Sequence, residues 1–135
     1  MRKRAGIILG IVTILCLQGC YTHRLPEGFD EEMVKGQAVR IIQQMSRSEY
    51  DIVTAQFSKE MIESLESSGL EDALGESITA LGSLEEIQSQ QVAGGQNDVI
   101  GDYAIVVTKC KYSEGRATYT ICFDSQQKIC GLYMK

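Results

Sequence analysis

The stretch "YAIVVTKCKYSEGRATYTICFDSQQKICGLYM", residues 103–134, decides the fold of this chain. Apolar and polar residues alternate through much of it, and β-branched and aromatic residues are frequent, which is typical of half-buried strands. Turn signals interrupt the pattern at Glu114-Gly115 and at residues 125–127, and another precedes it at Gly94-Gly95. The second half of the chain is therefore predicted to form an antiparallel sheet.

The first of these turns also predicts which residues share a face of the sheet. A two-residue loop at Glu114-Gly115 pairs Ser113 with Arg116, and side chains alternate between the two faces along each strand. The residues expected on one face are Val106, Thr108, Cys110 and Tyr112, together with Ala117, Tyr119, Ile121 and Phe123. We expect this face to meet the helices.

Three amphipathic helices are predicted ahead of the sheet. The first runs from about residue 30 to Ser46 and has acidic residues at its positively polarised start. The second begins at Ser48, a capping residue to which Asp51 can reach back, and the third ends at Gly82, which suits a left-handed turn. Their apolar residues are Val34, Ala38, Ile41, Ile42 and Met45; Tyr50, Val53, Phe57, Met61 and Leu65; and Leu70, Leu74, Ile78 and Leu81. The fold class is therefore α+β, with the N-terminal helices packed on one face of a curved antiparallel sheet.

The first twenty residues carry a targeting pattern. A basic cluster at residues 2–4 precedes an apolar run from Ala5 to Leu17, which is shorter than the ~20 residues that cross a bilayer. Leu17-Gln18-Gly19-Cys20 resembles the lipobox of bacterial lipoproteins, in which the cysteine thiol receives a diacylglyceryl group and the chain is cut just before it. We expect residues 1–19 to be a signal peptide, and Cys20 to anchor the protein on the extracytoplasmic face of the cell membrane. An ordinary secretory signal, or one left uncut, is the alternative.

Cleavage before Cys20 would make the chain more acidic, which limits the possible partners. It leaves 116 of the 135 residues, with 10 of the 13 basic residues and all 18 acidic ones, so the net charge becomes −8 instead of −5. Such a surface repels phosphates and argues against nucleic acid as a partner. We expect residues 20–30 to be a lipidated cysteine followed by a flexible linker, and residues 31–135 to be a single domain.

The domain also resembles a known family. The stretches "SEYDIVTAQFSKEMIESL" and "LGSLEEI", and the ending in which Phe123-Asp124, a short turn and residues 128–132 follow one another, are similar to the bacterial lipoproteins and extracytoplasmic modules grouped as domain of unknown function 3887. The family often carries a tryptophan within "LGESITAL", and this chain has none. The resemblance implies a small cone-like fold similar to nuclear transport factor 2, found alone on a lipid anchor or beside hydrolase domains, and it implies no catalytic residues.

We predict no catalytic residue, no metal site and no cofactor. The single histidine, His23, lies in the linker, where no rigid scaffold would position it. The spacing of Cys110, Cys122 and Cys130 is unlike that of zinc ligands. These cysteines are expected to be buried thiols. Alternatively, Cys122 and Cys130 form a disulfide across the last hairpin, whereas Cys110 and Cys122 would lie on opposite faces.

Three functions remain open at this point. The leading hypothesis is a membrane-anchored, non-enzymatic module that binds an envelope protein, a wall component or a small apolar ligand. The second is a pocket enzyme of the isomerase or dehydratase type using tyrosine and aspartate. Its candidate residues are Tyr103, Tyr112, Tyr119, Tyr133, Asp102 and Asp124. The third is a homodimer that pairs through the sheet face carrying Tyr103, Ile105 and Val107. A cavity with a carboxylate buried beside a tyrosine hydroxyl would favour the enzyme.

Overall fold

Four helices precede the main strands of the domain. The computed structural model describes Ile7–Ile8, Cys20–Thr22, and residues 25–65 and 69–135. The helices are α1 (Glu31–Ser46), α2 (Tyr50–Thr54), α3 (Lys59–Ser64) and α4 (Gly69–Leu81). The strands are β1 (Ile7–Ile8), β2 (Cys20–Thr22), β3 (Leu84–Asn97), β4 (Gly101–Tyr112), β5 (Gly115–Asp124) and β6 (Ile129–Met134). The predicted α+β class is therefore confirmed.

Helix α1 forms where the sequence predicts it. Asp30 is its N-cap, and its carboxylate accepts a hydrogen bond from the backbone N–H of Glu32. Glu31 begins the first turn and pairs with Lys35 one turn later, at 3.0 Å. All five predicted apolar residues, from Val34 to Met45, are buried. This stripe packs the helix against the sheet.

The second predicted helix is instead two short helices, α2 and α3. The chain leaves the helical path at Phe57, which forms a parallel bridge with Ile129, and the Ser58 N–H donates to the Ile129 carbonyl at 2.8 Å. The predicted cap at Ser48 is also wrong, because Glu49 is the residue before α2 and no side chain caps that helix. Ser58 caps α3 by accepting from the Met61 N–H. Pairing with the sheet outweighs continuation of the helix.

Helix α4 ends as predicted. Gly82 follows it with φ +84°, the left-handed conformation that glycine adopts without strain. A Cβ at this position would collide with the Ser113 side chain. The same serine accepts from the Ser83 N–H at 3.0 Å, and the Glu114 N–H donates to the Leu81 carbonyl at 2.8 Å. The end of α4 is thus fastened to the loop between β4 and β5.

The sheet is antiparallel and curved, with the order β1-β6-β5-β4-β3-β2. The turn predicted at Gly94-Gly95 is wrong, because both glycines lie inside β3 and pair with Ala104 and Tyr103. Asp98–Ile100 form the turn instead. The Asn97 side chain accepts hydrogen bonds from two backbone N–H groups of this turn, and Gly101 closes it in the left-handed conformation (φ +83°).

The hairpin between β4 and β5 has the predicted face in a shifted register. The loop is Ser113-Glu114, so Tyr112 pairs with Gly115 where the sequence predicts a pair between Ser113 and Arg116. A shift of two residues keeps every side chain on its face. All eight residues predicted for the helix-facing side are buried, from Val106 to Tyr112 and from Ala117 to Phe123. This face, together with the helices, encloses the core.

The predicted linker is partly ordered against the domain. Cys20–Thr22 pair with Gly94–Gln96 at the edge of β3. Leu25 and Phe29 are partly buried against the core. In the part of the chain that the structure describes, no helix is long and apolar enough to cross a membrane. The similarity to nuclear transport factor 2 stays a prediction.

Candidate functional site

The space between the helices and the sheet is filled by side chains, with two tyrosine hydroxyls at its centre. Tyr112 and Tyr119 lie on neighbouring strands, and their hydroxyl oxygens are 2.7 Å apart. Ser46 of α1 reaches the Tyr112 hydroxyl at 3.3 Å. Burial raises the pKa of both tyrosines, and the interaction between them raises that of Tyr119 further. Both hydroxyls are therefore protonated at neutral pH and bonded to protein groups.

The structure does not bring a carboxylate to these hydroxyls. Apart from tyrosines and cysteines, the buried polar or charged side chains among the described residues are those of Ser58 and Thr108, so none of these residues has a buried carboxylate. Asp102 is partly exposed and accepts from the Gln96 amide at 2.8 Å. Asp124 accepts from the backbone N–H groups of the turn that follows it, at 2.9 Å each. Both aspartates thus have structural partners.

The other two candidate tyrosines lie away from this hydroxyl pair. Tyr103 is buried on the opposite face of the sheet, and Tyr133 is partly exposed. In the full-length chain Tyr103 and Ile105 are buried and Val107 is partly buried, and a homodimer through this face stays a prediction. Within the described residues, the exposed large apolar side chains are scattered. They are Met33, Ile52, Ile62 and Val99.

A groove of about 530 Å³ lies between α1 and the turn that joins β5 to β6. We call it the α1 groove. Its lining residues are Glu32, Met33, Gly36, Gln37, Arg40, Gln56, Gln126, Gln127 and Lys128. Glu32, Gly36 and Arg40 recur every four residues and so share one face of the helix. The groove is thus built from three segments, α1, Gln56 and the β5–β6 turn, of which the first and last are nearly ninety residues apart.

Hydrogen bonds hold the walls of the α1 groove in place. The Gln37 amide donates to the carbonyl of Gln127 at 3.1 Å, which joins the helix to the turn. Gln127 has φ +63°, a strained conformation for a residue with a side chain. The Gln56 amide donates to Gln44 and to the Ile52 carbonyl. Among the described residues, no group donates to the side-chain oxygens of Gln37 and Gln56, so both oxygens can accept from a ligand.

The groove also carries two cations without an ionic partner. The three ion pairs among the described residues use Lys35, Arg47 and Lys111. Arg40 and Lys128, which both line the groove, belong to none of them. Guanidinium and ammonium groups beside amides are suited to carboxylates and to peptide groups. Sequence analysis missed this site because only the tertiary structure brings the turn to the helix.

A second, smaller cleft of about 250 Å³ adjoins the α1 groove at Gln126. It contains Cys130, whose thiol donates to the Cys122 sulfur at 2.8 Å. The two cysteines are not directly opposite, because Cys122 pairs with Gly131, and an irregularity in the ladder brings the sulfurs together. A Cys122–Cys130 disulfide stays a prediction, which peptide mapping without reduction tests.

Burial also makes the thiols of Cys110 and Cys130 less acidic. It raises the pKa of Cys110 to about 11, and it raises that of Cys130. A protonated, buried thiol is a poor nucleophile. Within the described part of the chain, no group of three or more histidine, cysteine, aspartate or glutamate side chains is placed to hold a metal ion. Residues 17–19 of the lipobox-like motif and His23 lie outside the described residues.

These features define a small α+β domain with a filled interior and a polar groove at its surface. The family model described as "Protein of unknown function (DUF3887)" matches residues 38–132, and the chain belongs to this family. The predicted family is thereby confirmed. An NMR structure of a protein from Ruminococcus gnavus is similar, with a TM-score of 0.71 and 27% identity, covering 84% of this chain and 98% of that one. No curated protein matches the chain.

Proposed function

We propose that this protein is a lipoprotein anchored through Cys20 to the extracytoplasmic face of the cell membrane, where it binds a carboxylate-bearing peptide of the envelope in the α1 groove. The peptide belongs to a wall component or to an envelope protein. The observation that carries the proposal is the pair of cations, Arg40 and Lys128, which line one groove and have no ionic partner among the described residues, in a processed chain of net charge −8.

The lining of the groove supports a peptide ligand. Free amide oxygens on Gln37 and Gln56 accept from peptide N–H groups, and the cations bind a terminal or side-chain carboxylate. The volume of the groove falls within the usual range of ligand sites, ~300–1,000 Å³. A small apolar ligand fits less well, because seven of the nine lining residues are polar or charged and the interior is filled.

The arrangement of the tyrosines supports binding over catalysis. An acid–base enzyme needs a group whose pKa lies near the working pH, and burial raises the pKa of Tyr112 and Tyr119 away from neutrality. Each hydroxyl also has a protein partner, and no carboxylate lies beside them among the described residues. A homodimer through the sheet stays a prediction, tested by the mass of the processed protein in solution.

The binding half of the proposal is tested by titration of the isotope-labelled domain in an NMR experiment. The probe is acetyl-Ala-Ala with a free carboxylate, compared with the same peptide as its C-terminal amide. We expect shifts at α1 and at the β5–β6 turn with the acid and weaker ones with the amide. The double variant Arg40→Gln, Lys128→Gln should abolish them, whereas the matched variant Lys59→Gln, Lys109→Gln should not. If the peptide acid causes the same shifts in both double variants, the α1 groove is not its binding site.

The anchoring half is tested in cells. Wild-type protein should fractionate with membranes and carry a diacylglyceryl group on Cys20 by mass spectrometry. The Cys20→Ser variant should lose both properties, whereas Cys16→Ser, which changes a nearby cysteine of the same apolar segment, should keep them. Wild-type protein without an acyl group would contradict the proposal.

A further inference from the structure

The position of β2 places the proposed anchor at one end of the sheet. Cys20 pairs with Gln96 and Thr22 pairs with Gly94, so β2 begins next to the last residues of β3. The turn Asp98–Ile100 follows directly after β3. In a chain processed before Cys20, the acylated residue therefore lies beside this turn. A long free linker does not separate them.

The turn presents an apolar side chain in a fixed shape. The Asn97 side-chain oxygen accepts from the Val99 N–H at 2.7 Å and from the Ile100 N–H at 3.2 Å. Gly101 closes the turn in the left-handed conformation. Ile100 packs partly against the core, whereas Val99 is 67% exposed, more than any other large apolar residue that the structure describes. The turn thus holds Val99 outward.

We propose that the turn Asp98–Ile100 touches the bilayer surface in the acylated protein, with Val99 as the residue in contact. This inference rests on the proposed acylation of Cys20. Acyl chains in the hydrocarbon keep the Cys20 backbone at the headgroups. Its pairing partner Gln96 lies about 5 Å away, and Val99 is three residues, ~10 Å, further along the chain. The contact orients the domain on the membrane.

The charges around the turn specify the lipid chemistry. Asp98 precedes Val99 in the turn, and Glu60 and Asp124 line the cleft that contains Val99. These carboxylates are repelled by anionic headgroups. Lys128 lies at the same end of the sheet but is outnumbered by these three carboxylates, so the surface that fits is a zwitterionic lipid surface, contacted through the apolar side chain. The contact is too small to bind without the anchor, so it acts by restricting orientation.

The contact also decides which parts of the domain face the membrane. The β5–β6 turn, which contributes Lys128 to the α1 groove, lies at the same end of the sheet, since Asp124 pairs with Tyr103 near the start of β4. The loop Ser113-Glu114 lies at the other end of β4, about 35–40 Å away. The α1 groove is thus close to the membrane, and the loop points away from it.

The absence of tryptophan from the chain provides a direct test. Acylated Val99→Trp protein has a single tryptophan, at the turn, and acylated Glu114→Trp protein has its single tryptophan at the opposite end; excitation at about 295 nm avoids the tyrosines. Both are mixed with phosphatidylcholine vesicles whose acyl chains are brominated, and binding is measured by flotation. We expect a blue shift and strong quenching for Val99→Trp and neither for Glu114→Trp. The double variant Cys20→Ser, Val99→Trp should show no quenching, because the turn does not bind alone.

The outcomes separate the two proposals. If both acylated variants float with the vesicles and Val99→Trp is quenched no more than Glu114→Trp, the contact is refuted while the lipid anchor stands. If the wild-type protein from cells carries no acyl group, the anchor and the contact fail together. Circular dichroism of each variant serves as the control for an intact fold. Quenching confined to acylated Val99→Trp supports the inference.

Discussion

The hydroxyl oxygens of Tyr112 and Tyr119 lie 2.7 Å apart inside the domain, where each tyrosine is closed off from solvent. This pair lies between the sheet and helix α1, which contributes Ser46. Because Ser46 completes the chain of hydrogen bonds, the three hydroxyls satisfy one another. The three hydroxyls form a structural polar cluster in the interior of the domain, and its contribution can be measured as a change in the free energy of unfolding.

Removal of one hydroxyl from this cluster should destabilise the domain. Tyr119→Phe deletes a hydroxyl that is bonded to Tyr112 in the core, and we expect a loss of about 1–2 kcal/mol in the free energy of unfolding. Tyr133→Phe removes a hydroxyl from a partly exposed position and should cost much less. Urea unfolding of the two variants makes the comparison. Equal losses would contradict a specific role for the buried pair.

Stability should fall at alkaline pH. Burial raises the pKa of Cys110 from its ordinary value of 9.0 to about 11, so the folded state holds this proton more tightly than the unfolded state. The stabilisation is complete below pH 9 and is lost as the pH rises towards 11. Tyr112 and Tyr119, whose pKa values are raised by burial, act in the same direction above pH 10.

The contribution of the thiol can be isolated by substitution. Cys110→Ala removes the titrating group and should flatten the dependence between pH 9 and pH 11, whatever its effect at neutral pH. Unfolding in urea at a series of pH values measures the slope for each protein. An unchanged slope in the variant would assign the alkaline loss to other groups.

The end of α4 should tolerate only glycine. Gly82→Ala places a Cβ against Ser113 and forces alanine into the left-handed region, so we expect a loss of more than ~1 kcal/mol. The matched change Gly36→Ala lies within α1, where a Cβ meets no atom within 4 Å. It should stabilise the domain by up to ~1 kcal/mol, because alanine is the better helix former. Thermal unfolding of both variants reveals the difference in sign.

Of the two serines considered as helix caps, Ser58 should contribute to stability and Ser48 should not. Ser58→Ala removes the side-chain oxygen that accepts from the Met61 N–H, and we expect a cost of about 1 kcal/mol. Ser48 has φ +63° and caps no helix, so Ser48→Ala should change stability only slightly. If Ser48→Ala proved the more damaging in urea unfolding, the start assigned to α2 would be wrong.

Periodicity in the sequence was sufficient for much of the fold. The spacing of Val34 to Met45 defines the buried side of α1, and the alternation through β4 and β5 defines the face that meets the helices. A register error of two residues left that face unchanged, because side chains repeat every two residues along a strand. Gly82 was predictable for a similar reason, since its conformation depends on its own backbone.

The sequence by itself determined that the helical segments come first and that the second half of the chain forms the sheet, because those choices follow from interactions between residues close along the chain. Only the tertiary structure decided where long-range pairing overrides them. Pairing of Phe57 with Ile129 interrupts the second predicted helix. Pairing with β2 holds Gly94-Gly95 in a strand, where the sequence predicts a turn. Arg40 and Lys128 meet in one groove for the same reason. No local pattern encodes such contacts, since their energy depends on partners up to ninety residues away.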